Sequence, residues 1–260
     1  MAKSLFKKSW EILCQKGPRE FIRKSLGFIY RPLQPIFLKF EPCLYSCAAW
    51  KISKEVIKNP TATSLTNFLF DKFGHLIKPK QVRWEITELA KIIENLKPKI
   101  VLEIGTARGG TLFLFSRLAT ADATIISIDL PWENFGGYPN WKRKLYQKFA
   151  SPEQKLILLR ADSHQPETLG KLKTVLAGRE IDFLFIDGDH SYAGVKRDYE
   201  LYSPLVRKGG IIALHDVAKH KTTPECEVDR FWAEIKVGKK FKELIADPDQ
   251  DWGGIGVIFE

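Results

Sequence analysis

The apolar positions change their rhythm near residue 80. Downstream, short apolar runs of strand length alternate with segments in which apolar residues recur at helical spacing. Ile100 to Ile104, Thr124 to Ile128, Lys155 to Leu159, Ile181 to Ile186 and Ile211 to Leu214 read as strands, several of them near-continuous in the way of parallel strands covered on both faces. Val82 to Leu96, Leu112 to Leu118, Lys142 to Phe149, Pro166 to Leu176 and Phe231 to Val237 read as helices, and Pro98 stops the first of them. Phe241 to Ala246 and Gly254 to Phe259 form a closing hairpin-like pair of strands. This alternation predicts an α/β domain over residues 81–260, a three-layer sheet with right-handed crossovers.

Residues 1–80 follow another pattern. Leu5, Phe6, Trp10, Ile12 and Leu13 stand among Lys3, Lys7 and Lys8, and Phe21, Ile22, Leu26 and Ile29 among Arg23, Lys24 and Arg31, a spacing that predicts two short amphipathic helices. Pro32, Pro35 and Pro42 break any longer helix, and Lys58 to Pro79 reads as a linker with one short helix around Leu65 to Phe70. The expected organisation is a basic helical extension and linker over 1–80, followed by the α/β domain.

Charge sharpens this division. Of the formal +10, residues 1–60 carry +8, from 12 Lys/Arg against 4 Asp/Glu, so the basicity belongs to the extension. Such a segment can pack on the protein body or against a second copy, lie on an anionic membrane surface or, as the weakest of the three readings, bind nucleic acid. A chain of 260 residues with 44% hydrophobic content builds one substantial core. Cys14, Cys43, Cys47 and Cys226 supply no paired C-x-x-C units, so reduced thiols are expected. No run approaches the roughly 18 apolar residues of a spanning helix, and no signal-type apolar core opens the chain. The expected location is cytoplasmic, with peripheral contact at a membrane surface as an option for residues 1–60.

The domain is organised around K-I-V-L-E-I-G-T-A-R-G-G, Lys99 to Gly110, a buried strand that turns sharply into a helix. Gly105, Gly109 and Gly110 provide the permissive backbone of that turn. In open α/β sheets such turns, at the carboxyl ends of strands, hold ligands against helix N-termini. The dinucleotide fingerprint G-x-G-x-x-G fails at its second glycine, which is Ala107 here. Asp129, ending the next strand, is placed to grip a ribose diol, a group common to NAD and S-adenosylmethionine, and so does not choose between them. Asp162 and Ser163, closing the third strand, could meet an adenine edge. The loop L-P-W-E-N-F-G-G-Y-P-N-W has the composition of an active-site lid, although Trp132, Phe135, Tyr138 and Trp141 could equally pack over the following helix.

Two polar clusters close neighbouring strands: Asp187, Asp189 and His190 after the fourth, His215 and Asp216 after the fifth. Carboxylates that converge beyond a strand end suit a hard divalent cation such as Mg²⁺, and a neutral histidine suits proton removal from a hydroxyl. His190 is the candidate base, and Asp187, His215 and Asp216 are the candidate metal ligands. The plainer alternatives are that Asp189 or His190 caps the next helix, that Asp216 binds turn amides, and that His215 is a satisfied core residue.

V-L-E-I-G-T, F-I-D-G-D-H-S-Y-A-G-V-K-R-D and P-L-V-R-K-G-G-I-I-A-L-H-D together resemble the class I S-adenosylmethionine-dependent methyltransferases, in particular the group of macrolide-sugar O-methyltransferases and cephalosporin-hydroxylase-like proteins. The similarity covers about residues 82–260. It implies a Rossmann-like sheet of seven strands with helices on both faces and a reversed last strand. Glu103, Gly105, Thr106, Gly109, Asp129, Asp162 and Ser163 would then surround S-adenosylmethionine. By the D-G-x-H spacing, Asp187 would be a metal ligand and His190 the base. Relatives carry an acidic pair at the fifth strand end, whereas this chain has His215-Asp216, so Asp216 carries over more safely than His215. The N-P-P-[YF] motif of amino-directed methyltransferases is absent, and I-D-G-D-H stands in its place. The resemblance points to O-methylation of a sugar or other small-molecule hydroxyl, with Mg²⁺ or a similar cation and a small-molecule or glycan acceptor; homo-oligomerisation is possible. The rivals are a nicotinamide-dependent oxidoreductase and an inactive binding protein acting through residues 1–60.

Overall fold

The computed structural model describes residues 60–72, 77–131 and 136–260. The amphipathic helices expected in residues 1–59, and Trp132 and Phe135 of the aromatic loop, lie outside the described residues. In chain order the elements are α1 (Ala62–Asn67), continued by a π-helical turn (Phe68–Lys72), α2 (Arg83–Leu96), β1 (Ile100–Ile104), α3 (Gly110–Leu118), β2 (Thr124–Asp129), α4 (Lys142–Tyr146), β3 (Lys155–Arg160), α5 (Pro166–Leu176), β4 (Ile181–Ile186), α6 (Tyr192–Tyr202), β5 (Val206–His215), α7 (Val228–Ile235), β6 (Lys240–Leu244) and β7 (Ile255–Phe259).

The seven strands form one sheet in the order β3-β2-β1-β4-β5-β7-β6. The first five run parallel, and β7 inserts antiparallel between β5 and β6. This is the Rossmann-like methyltransferase sheet with its reversed last strand. Alternation along the strands divides the core in two. Val101, Ile125, Phe183, Phe185, Ala213 and Val257 face α1 to α4, while Leu102, Ile126, Leu184, Ile212 and Ile258 face α5 to α7. Each fully buried Ile or Leu contributes about 1.5–3 kcal/mol of transfer free energy, so the central strands hold the sheet.

The stretch read as a linker behaves differently from that expectation. Ala62, Leu65, Phe68, Leu69 and Ile77 are buried in the first core, and α1 packs on α2. Its short apolar run has no partner within reach in sequence, so only the tertiary fold shows that it covers the sheet. A methyl group at Gly110 would overlap the Ile77 carbonyl, which brings this segment against the start of α3.

Register then sets the site. Ile104 pairs with Ile128 on one side and Ile186 on the other, and Ile186 pairs with Leu214. The next residue of each strand therefore falls in one row at the carboxyl edge: Asp129, Gly105, Asp187 and His215. The Gly105 N–H donates to the Ile128 carbonyl at 2.9 Å, and the Asp187 N–H to that of Ile104 at 2.8 Å.

Candidate active site

The turn after β1 is held closed by Asp129. Its Oδ2 accepts from the Thr106 and Ala107 amides at 3.0 and 2.8 Å, and its Oδ1 from the Leu130 amide at 2.8 Å. Burial raises its pKa, against the pull of these amides. In this structure the carboxylate proposed for the ribose is thus occupied in shaping the turn. Ala107 adopts a left-handed φ of 44°, the conformation a glycine would take without strain. The Tyr146 hydroxyl donates to its carbonyl at 2.8 Å, and Thr106 and Ser127 join through their hydroxyls. Gly105 has φ +88°, and a methyl group there would overlap the Asp187 carbonyl oxygen. The first glycine is therefore required by a close approach between neighbouring strand ends as well as by the turn.

Beneath the turn Glu103 is fully buried, and neither of its oxygens makes a well-formed hydrogen bond. Burial pushes its carboxyl up to about 8, tempered by the nearby Thr111 and Thr106 hydroxyls and reinforced by Asp129 and Asp187. A proton is retained where a cation would displace it.

The two polar clusters converge. Asp187 Oδ1 and Asp216 Oδ2 each lie 3.1 Å from His215 Nδ1, and 3.5 and 3.6 Å respectively from His190 Nε2. Asp187, His215 and Asp216 place one ligand atom each within 4.8 Å of one another, the grouping expected from sequence. Burial works against charge on Asp187 and His215 alike, yet their mutual attraction prevails, leaving Asp187 below the usual carboxylate range and His215 above the usual imidazole range. His190, whose side chain is 46% exposed, is raised chiefly by Asp187 and turns its Nε2 toward the two carboxylates. Asp216 takes a left-handed φ of 62°, one that Asp tolerates better than most residues.

Sequence reasoning missed three members. Gln81, ahead of α2, donates from Nε2 to Asp187 Oδ2 at 2.7 Å across 106 residues of chain, and no pattern marks it. His220 Nε2 lies 3.1 Å from Asp216 Oδ1, a contact the H-D-x-x-x-H spacing could have suggested. Cys226 groups with His190 and Asp216 within 4.8 Å. Asp189 turns back to accept from the Ser191 amide at 2.9 Å, and it is Ser191, not Asp189 or His190, that caps α6 by accepting from the Gly194 amide.

Residues 102–217 match the family model of a methyltransferase domain. This matched stretch runs from β1 to just past β5. Two curated relatives are uncharacterized proteins. One, from Acanthamoeba polyphaga mimivirus, is 34% identical over 53% of this chain and 61% of its own length. The other, from Sinorhizobium fredii, is 23% identical over 65% of this chain and 18% of its own. The chain thus spans only part of either relative. Among solved structures, an O-methyltransferase of Streptomyces achromogenes involved in tomaymycin synthesis, in complex with SAM, is similar at TM-score 0.52 and 15% identity, covering 82% of this chain and 95% of that one. An O-methyltransferase from Bacillus cereus in complex with SAH is similar at TM-score 0.52 and 14% identity, covering 82% and 97%.

The remaining predicted residues, Asp162 and Ser163, lie in the turn between β3 and α5. Asp162 Oδ1 accepts from the His164 amide at 2.8 Å and Oδ2 from Gln165 Nε2 at 2.8 Å, which holds its pKa down and folds the β3–α5 turn on itself. The Ser163 carbonyl accepts from the Tyr202 hydroxyl at 2.5 Å. Of the aromatic loop's described residues, Tyr138 is buried against Tyr146 at 4.9 Å between ring centroids, and so packs over the helix as the plainer alternative expected. No helix of the described residues is long and apolar enough to cross a membrane.

Asp198 of α6 is buried beneath this turn, its Oδ1 3.3 Å from His164 Nε2. Burial raises its pKa to about 6 from 3.8, so the stability that protonation confers is complete below about pH 4 and is lost as pH rises through about 6. Asp198→Asn mimics the protonated form. It is expected to leave the melting temperature unchanged near pH 4 and raise it near pH 8 by several degrees, the equivalent of roughly 1–3 kcal/mol. Thermal unfolding at both values checks this, and equal effects at both would refute it.

Proposed function

We propose that this domain transfers a methyl group from S-adenosylmethionine to an oxygen acceptor, a sugar or other small-molecule hydroxyl, with the help of a divalent cation. The observation that carries the reading is the meeting of Asp187, His190, His215 and Asp216 directly beside the Gly105 turn. The SAM and SAH held by the two structural neighbours support the choice of cofactor. By analogy with soluble enzymes of this kind the protein works in the cytoplasm, with residues 1–60 available for a membrane surface or a second copy.

The residues fit both groups. Glu103 presents an unpartnered buried carboxyl suited to an ammonium group beneath the Gly105 turn. The orphaned buried atoms Gln81 Oε1 and His215 Nε2 border the carboxylate–imidazole cluster, whose oxygen and nitrogen donors suit a dication. When bound, S-adenosylmethionine supplies an electrophilic methyl carbon, and the cation lowers the pKa of an acceptor hydroxyl. Asp187, His215 and Asp216 would hold the cation, and Gln81 fixes the Asp187 carboxylate. His190, exposed on the acceptor side, takes the hydroxyl proton at Nε2.

Calorimetric titration with SAM and with NAD⁺ tests the reading, with tritium transfer from labelled SAM into fractionated cell extract as the activity measurement. SAM is expected to bind and NAD⁺ not to. Because Glu103 holds its proton up to about 8, an ammonium must displace that proton, and SAM affinity should rise by up to about tenfold per pH unit between about pH 6 and 8. Glu103→Gln should flatten the dependence. NAD⁺ binding in place of SAM, or a pH-independent affinity in the parent protein, would count against the respective assignments.

A further inference from the structure

Among the described residues, two carboxylate oxygens and two imidazole nitrogens form the core of the cluster. The oxygen–nitrogen separations are 3.1, 3.1, 3.5 and 3.6 Å. Neighbouring ligands of a divalent ion bound at about 2.0–2.2 Å stand about 3.0–3.5 Å apart, so the 3.1 Å separations between His215 Nδ1 and the two carboxylates are those of a coordination shell, while His190 stands beside it. They are also longer than the best charge-assisted hydrogen bonds, at about 2.7–2.9 Å. One Nδ1 equidistant from two carboxylates cannot give a single proton fully to both. His215 is 5% exposed, its Nε2 has no partner, and the neighbouring buried Gln81 Oε1 has none either.

The donor types discriminate between ions. Mg²⁺ takes oxygen ligands and keeps several waters, whereas imidazole nitrogen suits Zn²⁺, Fe²⁺, Co²⁺ and their neighbours. His215 is walled in between the two carboxylates and is the only nitrogen among the three grouped donors Asp187, His215 and Asp216. We infer that this cluster selects a first-row transition-metal dication over Mg²⁺, and that His215 is the selecting ligand. The inference rests on the cluster being the cation site of the proposed function.

The test uses the full chain, stripped of metal by chelator, dialysed against Co²⁺, Zn²⁺ or Mg²⁺, and assayed for bound metal by elemental analysis. Visible absorption of the Co²⁺ form and SAM titration are followed in parallel. One equivalent of Co²⁺ or Zn²⁺ is expected, with a visible Co²⁺ spectrum altered by nitrogen ligation. Because most sites favour these ions somewhat, the deciding quantity is the preference for Co²⁺ over Mg²⁺ in variants. It should fall at least tenfold in His215→Glu, and likewise in His215→Gln, which avoids a third clustered carboxylate should the first variant fail to fold. An unchanged preference in the folded variants overturns the inference, as does Mg²⁺ binding as tightly as Co²⁺ to the parent. Absence of any bound metal overturns it too. If SAM still binds in that case the methyltransferase reading survives, and if SAM fails to bind that reading falls separately.

Discussion

Asp187→Asn is expected to lower methyl transfer by at least about a thousandfold, or roughly 4 kcal/mol in activation free energy, while SAM and SAH affinity stays within a few-fold. The amide keeps the shape of the side chain, and its oxygen can still accept from Gln81 Nε2. What it loses is the negative charge that sits 3.1 Å from His215 Nδ1 and 3.5 Å from His190 Nε2. With that charge gone, His190 loses the principal cause of its raised pKa, and a cation loses one of its two carboxylates. The cofactor turn, by contrast, is held by Asp129 and would stay folded. Tritium transfer and calorimetry, measured side by side, check the split. Equal losses in transfer and affinity would mean that Asp187 builds the pocket and does no chemistry, and full activity in excess chelator would remove the metal role.

Gly105→Ala should be the most damaging single methyl group in the domain. The φ of +88° costs an alanine about 1–2 kcal/mol, and the overlap with the Asp187 carbonyl forces two strand ends apart at roughly 1–3 kcal/mol more. A drop in melting temperature of about 5–15 °C is expected, together with loss of measurable SAM binding, since the turn and the metal-side carboxylate move together. Gly178→Ala isolates the backbone contribution, because its φ is +81° but an added methyl meets nothing within 4 Å. The difference between the two variants measures the close approach. If they lose equal stability and Gly105→Ala still binds SAM, the tight packing of Gly105 on Asp187 has no functional weight.

Much of this was legible in the chain because strands covered on both faces leave continuous apolar runs. Ile100 to Ile104 and Ile181 to Ile186 emerged with the expected limits. The fifth strand is longer than its apolar run, starting at Val206 and passing through Gly209 and Gly210. Its pairing with β4 shifts register between Val206 and Ile211, where Gly209 takes a left-handed φ of 76° and its N–H donates to the Glu260 carbonyl at 2.7 Å, an irregular join that local pattern cannot show. The strand-end chemistry was legible for a related reason. In a parallel sheet all carboxyl ends meet at one edge, so Asp129, Asp187, His190, His215 and Asp216 could be assigned to one crevice from their positions alone.

The tertiary structure decided what depends on distance across the chain. It turned Asp129 inward to the amides of the turn, set Asp198 and His164 against each other beneath the β3–α5 turn, and drew residues 62–69 and Ile77 into the core. It also brought Gln81 to Asp187. Periodicity records which face of an element is buried, because each residue's burial follows from its own strand or helix. It carries no record of which distant side chain fills the remaining hydrogen-bond position, since that choice is made only when separate elements pack.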